Sequence, residues 1–287
     1  MHSIVKSPTF WLVLVNIGFY LFLGTQGVSL TSPSADDLTA WGGNLGPYTF
    51  SGEWQRLLSS MFLHGGIMHL AVNMFLLVQI GMMLEKLMGR SRFALVYLLS
   101  GLFGGLVSAW WHTSRALNGT GQTALQFSLG FTPTVQVTVS VGASGAVLGA
   151  ACALLVYALR QEAEEQVDLK VILQVVAVNI GMGFFIDGTD NAAHVGGALA
   201  GFAIGAGLLL PGSALRIGRH VQTALVGGAG LLALAAMALQ MPSDDVTELA
   251  GQLRKSERGG VAQERPALSP VDSYLLQQQV RRALESN

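Results

Sequence analysis

The sequence predicts an all-α polytopic membrane protein, and three observations carry that expectation. Of its residues 51% are hydrophobic and only 11% charged, with a mean hydropathy of +0.50, whereas a soluble globular chain carries about 25% charged residues. Apolar stretches recur along the chain, each near the ~20 residues that a bilayer demands. The chain between them is polar and rich in turn formers, and in hydrocarbon only helices or closed barrels satisfy their own backbone.

The stretches fall at 9–26, 65–84, 93–111, 141–159, 169–186, 192–210 and 221–241, which makes seven expected spans. The first has the length of a signal-peptide core from Phe10 to Leu23 after Lys6, but no A-x-A cleavage site follows. It reads as a helix extended by Pro8, Thr9 and Gly24 to Gln26. The fifth and sixth are joined by a turn, Asp187 to Asn191. The connections 27–64 and 112–140 are long and rich in Gly, Ser, Thr and Pro, and such segments often carry function. The expected division is a short amino-terminal segment 1–8, a core 9–210, a linker and seventh helix 211–241, and a charged tail 242–287. Within the tail, Val271 to Leu284 has weak amphipathic periodicity, as a flexible appendage or docking helix would.

Charge balances at −1, from 16 basic and 17 acidic residues, so no global field points to nucleic acid or to an acidic partner. Its distribution sets the orientation. Lys6, then Lys86, Arg90 and Arg92, then Arg160 and Lys170, then Arg216 and Arg219 share one side, and Arg56 and Arg115 the other. The amino terminus is expected in the cytoplasm and the tail outside, in a bacterial inner (cell) membrane. Cys152 is the sole cysteine, which excludes an internal disulfide. No cofactor is expected, and no metal site: His64 and His69 stand five apart without a carboxylate or cysteine at ligand spacing.

Polar residues inside spans are expensive and usually face a cavity. His69 and Asn73 share one face of the second span, with His64 further toward the outside. Ser144 begins the fourth span within Gly142-Ala143-Ser144-Gly145, and His194 lies at the outer end of the sixth. Taken singly each has an ordinary explanation: Ser144 as packing beside the Gly145/Gly149 face, His194 and Asn73 as interhelical hydrogen bonds. Together, independent segments converge on one depth of the bilayer.

Gly197, Gly201 and Gly205 form a stripe on the sixth span, and His194 lies on it. Such a stripe permits close approach to Gly145 and Gly149, which would bring His194 against Ser144. A serine hydroxyl becomes a useful nucleophile once a base within hydrogen-bond reach takes its proton, and histidine suits that role at neutral pH. The amides at the start of the fourth helix, Ser144 among them, are free to meet an oxyanion. His69 and Asn73 can add side-chain donors. Asp187 and Asp190 read as turn or capping residues, so a Ser-His dyad is expected and not a triad.

This pattern resembles the rhomboid family of intramembrane serine proteases. The match runs through Gly52-Glu53-Trp54-Gln55-Arg56, Met61-Phe62-Leu63-His64-Gly65-Gly66, His69-x-x-x-Asn73, Gly142-Ala143-Ser144-Gly145 and Ala193-His194-x-x-Gly197, across residues 52–205. The resemblance implies a six-helix core with the span at 221–241 as an appended seventh. It also implies Ser144 and His194 as catalytic dyad, an oxyanion hole of His69, Asn73 and the Ser144 amide, and a 27–64 connection folded as a membrane-associated hairpin anchored by Trp54 and Arg56. Its implied partners are the lipid bilayer and single-span transmembrane substrates, cut near the extracytoplasmic face. Leu148 departs from the pattern, since some bacterial members carry an aromatic residue there to stack on the catalytic histidine.

Two other classes compete. A noncatalytic rhomboid-like protein would bind transmembrane clients without cutting them, and the presence of both Ser144 and His194 speaks against it. A transporter would show internal repeats with broken helices, and none is seen.

Overall fold

The computed structural model describes residues 4–118, 138–160, 168–184, 189–209, 218–240 and 243–262. Its first long helix, α1 (Pro8–Thr25), opens with Ser7 as N-cap and proline at the first helical position, where a missing N–H costs nothing. Ser7 and Thr9 both donate to Glu85 Oε2, at 2.7 and 3.0 Å, and Arg90 pairs with the other oxygen at 3.4 Å. One carboxylate thus ties the start of α1 to the end of α5 (Ile67–Met88). Gly89, at φ +90°, ends that helix, and α6 (Arg90–Asn118) follows at once. α6 outruns its expected bounds because nothing between Trp110 and Asn118 breaks a helix.

The connection from α1 to α5 is not a simple hairpin. It forms α2 (Ala35–Ala40), the two-residue strand β1 (Asn44–Leu45), α3 (Gly46–Phe50), α4 (Arg56–Ser59) and a 3-10 turn Ser60–Phe62. α2 carries a full capping box between Ser34 and Asp37. β1 pairs antiparallel with β2 (Val139–Ser140), Asn44 opposite Ser140, so the two long connections are joined to each other. Asn44 also donates to the Gly105 carbonyl of α6 at 2.7 Å and accepts from Thr49 at 2.7 Å.

After β2 come α7 (Ser144–Leu159), α8 (Leu169–Met182), α9 (Asn191–Leu208), α10 (Arg219–Ala238) and α11 (Ser243–Ala262). Pro8–Thr25, Ile67–Met88, Arg90–Leu117 and Arg219–Ala238 are long and apolar enough to cross a membrane by length and composition. α7 and α8 are apolar but shorter, and α9 is rich in Gly and Ala, which lowers its hydropathy. An all-α polytopic fold follows, with α1 and α5 to α10 each overlapping one of the expected stretches.

At its centre α7 and α9 meet backbone to backbone. A Cβ built on Gly197 would fall 2.2 Å from the Gly145 carbonyl oxygen, one on Gly201 2.0 Å from that of Gly149, and one on Gly205 2.9 Å from Ala153 Cα. α6 closes on the same pair, since a Cβ on Gly149 would fall 2.2 Å from Ser100 and one on Gly104 2.7 Å from the Ala193 carbonyl. At the other end of α9, buried Arg92 donates to the Leu208 carbonyl at 3.0 Å and to Gln222 at 2.8 Å, while Gln222 donates to the Gly207 carbonyl at 2.9 Å. The terminal carbonyls of α9, which lack helical partners, are satisfied by α6 and α10.

The chain divides into two compact units, Met1–Thr247 and Glu248–Asn287. In the second, Gln252 donates to Glu248 one turn earlier at 3.2 Å. The helical start of the tail was not anticipated, although Val246, Leu249, Ala250 and Leu253 carry the i, i+3, i+4, i+7 signal. The stretch from Val271 to Leu284 lies outside the described residues.

Candidate active site

The site is assembled where α7 begins. Gly142, at φ +119°, donates to the Ser60 carbonyl at 2.9 Å, so the 3-10 turn fixes the approach to the helix. A Cβ at this glycine would lie 2.8 Å from His69 Nε2 and 3.8 Å from Ser144 Oγ. The space kept open by Gly142 therefore borders both groups. Ser144 is the first residue of α7, and Ala143 before it offers no side-chain cap. The first-turn amides are left without helical acceptors.

His194 arrives from α9, buried at 5% exposure. Its Nε2 stands 2.8 Å from Ser144 Oγ, across fifty residues of sequence. The glycine seam makes this distance possible: Ser144 immediately precedes Gly145, and His194 lies one turn ahead of Gly197. The other ring nitrogen, Nδ1, is buried without a hydrogen bond of normal geometry, although the Asn179 carbonyl of α8 acts on the ring.

His69 and Asn73 come from α5. The Gly65 amide donates to His69 Nδ1 at 3.2 Å, so the ring proton belongs on Nε2, the nitrogen bordering the Gly142 space. Buried Asn73 donates from Nδ2 to the His69 carbonyl at 2.8 Å. That bond lies within its own helix, one turn back, and is not the interhelical bond that its ordinary explanation supposed. A second N–H remains on the same nitrogen. His64 is buried with its ring edge-to-face on His69, centroids 5.3 Å apart. Burial first, and then the neighbouring His69, push its pKa down to about 3, so His64 is a neutral packing element.

Arg56 and Trp54 lie further out. Arg56 donates to the Thr39 and Gly43 carbonyls at 2.7 and 2.8 Å, binds Glu53 at 2.7 Å and covers the Tyr48 ring at 5.2 Å. It stitches together the connection that overlies the site. Trp54, 41% exposed, meets the Phe50 ring edge-on. Leu148 is fully buried in α7.

Asp190 caps α9, accepting from the Ala193 amide at 3.1 Å, as its position in the sequence suggested; Asp187 lies outside the described residues. What the sequence reading missed is its company. Ser108 Oγ donates to Oδ2 and His112 Nε2 stands 3.3 Å from Oδ1. Burial raises the pKa of the Asp190 carboxyl, but bonds from His112, Ser108 and Ser140 outweigh it and hold the group well below the usual carboxylate range. The available signal was the i, i+4 spacing of Ser108 and His112, polar residues on one face of an apolar helix.

A model of the rhomboid domain matches residues 51–211, the stretch that holds every group named above except those of the preceding connection. The chain belongs to the rhomboid family. Rhomboid protease AarA of Providencia stuartii is 30% identical over 220 residues, 73% of this chain and 75% of that protein. Rhomboid protease GluP of Bacillus subtilis is 31% identical over 231 residues, 80% of this chain but 39% of that protein. RHOMBOID-like protein 4 of Arabidopsis thaliana is 33% identical over 203 residues, 68% and 44% of the two chains. With these relatives and its apolar helices, this rhomboid is a multi-pass membrane protein and a rhomboid-type intramembrane serine protease.

Proposed function

We propose that this rhomboid cleaves transmembrane segments of single-span membrane proteins near the extracytoplasmic face, with Ser144 as nucleophile and His194 as general base. The 2.8 Å contact between His194 Nε2 and Ser144 Oγ carries the reading. With its proton on Nδ1, His194 accepts the Ser144 proton at Nε2 as Oγ attacks the scissile carbonyl. The tetrahedral oxyanion is met by the Ser144 amide, by His69 Nε2–H and by the spare N–H of Asn73. On collapse His194 returns the proton to the leaving amine, and water repeats the sequence on the acyl-enzyme.

A helical peptide bond hides its carbonyl, so the substrate must unwind before it reaches Ser144, and segments with Gly, Pro or polar residues unwind most readily. The reading includes seven spans, a cytoplasmic amino terminus and a bacterial inner membrane, supported by the basic residues of the short loops and by bacterial relatives. A noncatalytic client-binding role is disfavoured by the retained and hydrogen-bonded Ser144–His194 pair.

The test is cleavage of a labelled single-span substrate by the purified protein. Ser144→Ala, which removes one oxygen at a position already suited to small residues, should abolish cutting while the protein stays folded. His194→Ala should be as inactive, because nucleophile and base act as a unit. Undiminished cleavage by Ser144→Ala would overturn the assignment.

A further inference from the structure

Asp190 touches neither reacting atom, yet residues of three elements, α9, α6 and β2, converge on it. Its carboxylate accepts from the Ala193 amide at 3.1 Å and from Ser108 Oγ, and it faces His112 Nε2 at 3.3 Å. Ser140 of β2 bonds to the same carboxylate, and the Asp190 backbone carbonyl accepts from the His194 amide at 3.1 Å. An ionised carboxylate only accepts, so His112 and both serines serve as donors.

Beyond Ser144, no side chain holds the His194 ring by a hydrogen bond of normal geometry, because its Nδ1 has no such partner among the described residues. Apart from Ser144 and the Asn179 carbonyl of α8, the ring's place is set by the backbone that carries it. That backbone, the turn from Asp190 to His194, is fastened at Ala193 N and His194 N to Asp190. The Ala193 carbonyl is wedged between Gly104 of α6 and Gly145 of α7, where added Cβ atoms would fall 2.7 and 3.1 Å away. The bonds to Ser108 and His112 lock the capped turn to α6, the helix already pressed against it.

We propose that Asp190, together with Ser108 and His112, is a positioning unit that holds the first turn of α9 against α6 and so sets His194 within reach of Ser144. The inference rests on the Ser144–His194 reading above. It assigns these three residues a part in turnover and not only in folding, because misplacing a reacting group by an ångström costs about 100-fold.

The test compares Asp190→Ala, Asp190→Asn, His112→Leu and Ser108→Ala with the unaltered protein. It reads kcat, KM, melting, and the rate at which a fluorophosphonate labels Ser144. Asp190→Ala should lower kcat and labelling about 10-fold to 100-fold with KM within about twofold. Asp190→Asn, which keeps a good cap and an acceptor for His112, should recover most of that loss. His112→Leu and Ser108→Ala leave the cap intact and should still slow labelling, and they carry the test should Asp190→Ala fail to fold. Variants that melt earlier but turn over normally per folded molecule would make the cluster purely structural and overturn the inference. An unaltered protein inert to both probe and substrate would overturn the protease reading, and this inference with it; a reactive protein with unaffected variants would overturn this one alone.

Discussion

Asn73 has one amide group and two demands on it. One N–H is spent on the His69 carbonyl of its own helix, a bond that α5 makes locally and can lose cheaply. The other is free for an oxyanion that exists only during reaction. Asn73→Ala should therefore lower kcat about 10-fold to 1,000-fold, by analogy with other oxyanion donors. The stability loss should stay near 1 kcal/mol, the net worth of one ordinary hydrogen bond. Turnover and melting on one preparation decide it: a destabilised variant with normal turnover per folded molecule would remove Asn73 from the oxyanion site. Gly142 acts on the same space in another way, since its positive φ and the His69 ring 2.8 Å from a would-be Cβ leave no room for a side chain.

The α7–α9 seam is the element on which the site depends. Two helices whose glycines face each other approach until backbone meets backbone, and van der Waals packing then sets their separation. Gly201→Ala would place a methyl 2.0 Å from the Gly149 carbonyl oxygen and push the helices apart. The expected cost is about 1–3 kcal/mol of stability, with slower Ser144 labelling as His194 withdraws. Gly228→Ala in α10 is the control, for nothing lies within 4 Å of its added Cβ and alanine is the better helix former by about 1 kcal/mol. Thermal melting of both variants checks the contrast, and equal behaviour would mean that the seam tolerates separation.

For the whole molecule, the distribution of basic residues predicts which side each connection occupies. A tag at residue 90 should be cytoplasmic, and one at residue 120 or at the carboxyl terminus extracytoplasmic, as protease accessibility in sealed cells and inverted vesicles can establish. A cytoplasmic carboxyl terminus would mean that α10 does not span. That helix is fastened to the core through Arg92 and Gln222 at its first turn, and further along Gly227 and Gly230 lie against Leu95 and Leu99 of α6 while Val226 and Leu234 pack on the core.

Hydropathy, helical spacing and short motifs are local properties, and they determined much of this protein. They were enough for the membrane class, the approximate bounds of the long helices, the expectation that Ser144, His194, His69 and Asn73 share one depth, and the glycine stripes that imply close approach. Periodicity says which residues share a face but not which helix lies opposite, nor how a bond is oriented. Only the tertiary structure decided the 2.8 Å between Ser144 and His194, the proton position on His69, and the pairing of β1 with β2. Asp190 is the sharpest case. Its cap to Ala193 spans three residues and was legible, whereas Ser108 and His112 lie 82 and 78 residues away. Their meeting depends on how closely α6 can approach α9, a distance set by side chains that the glycines lack.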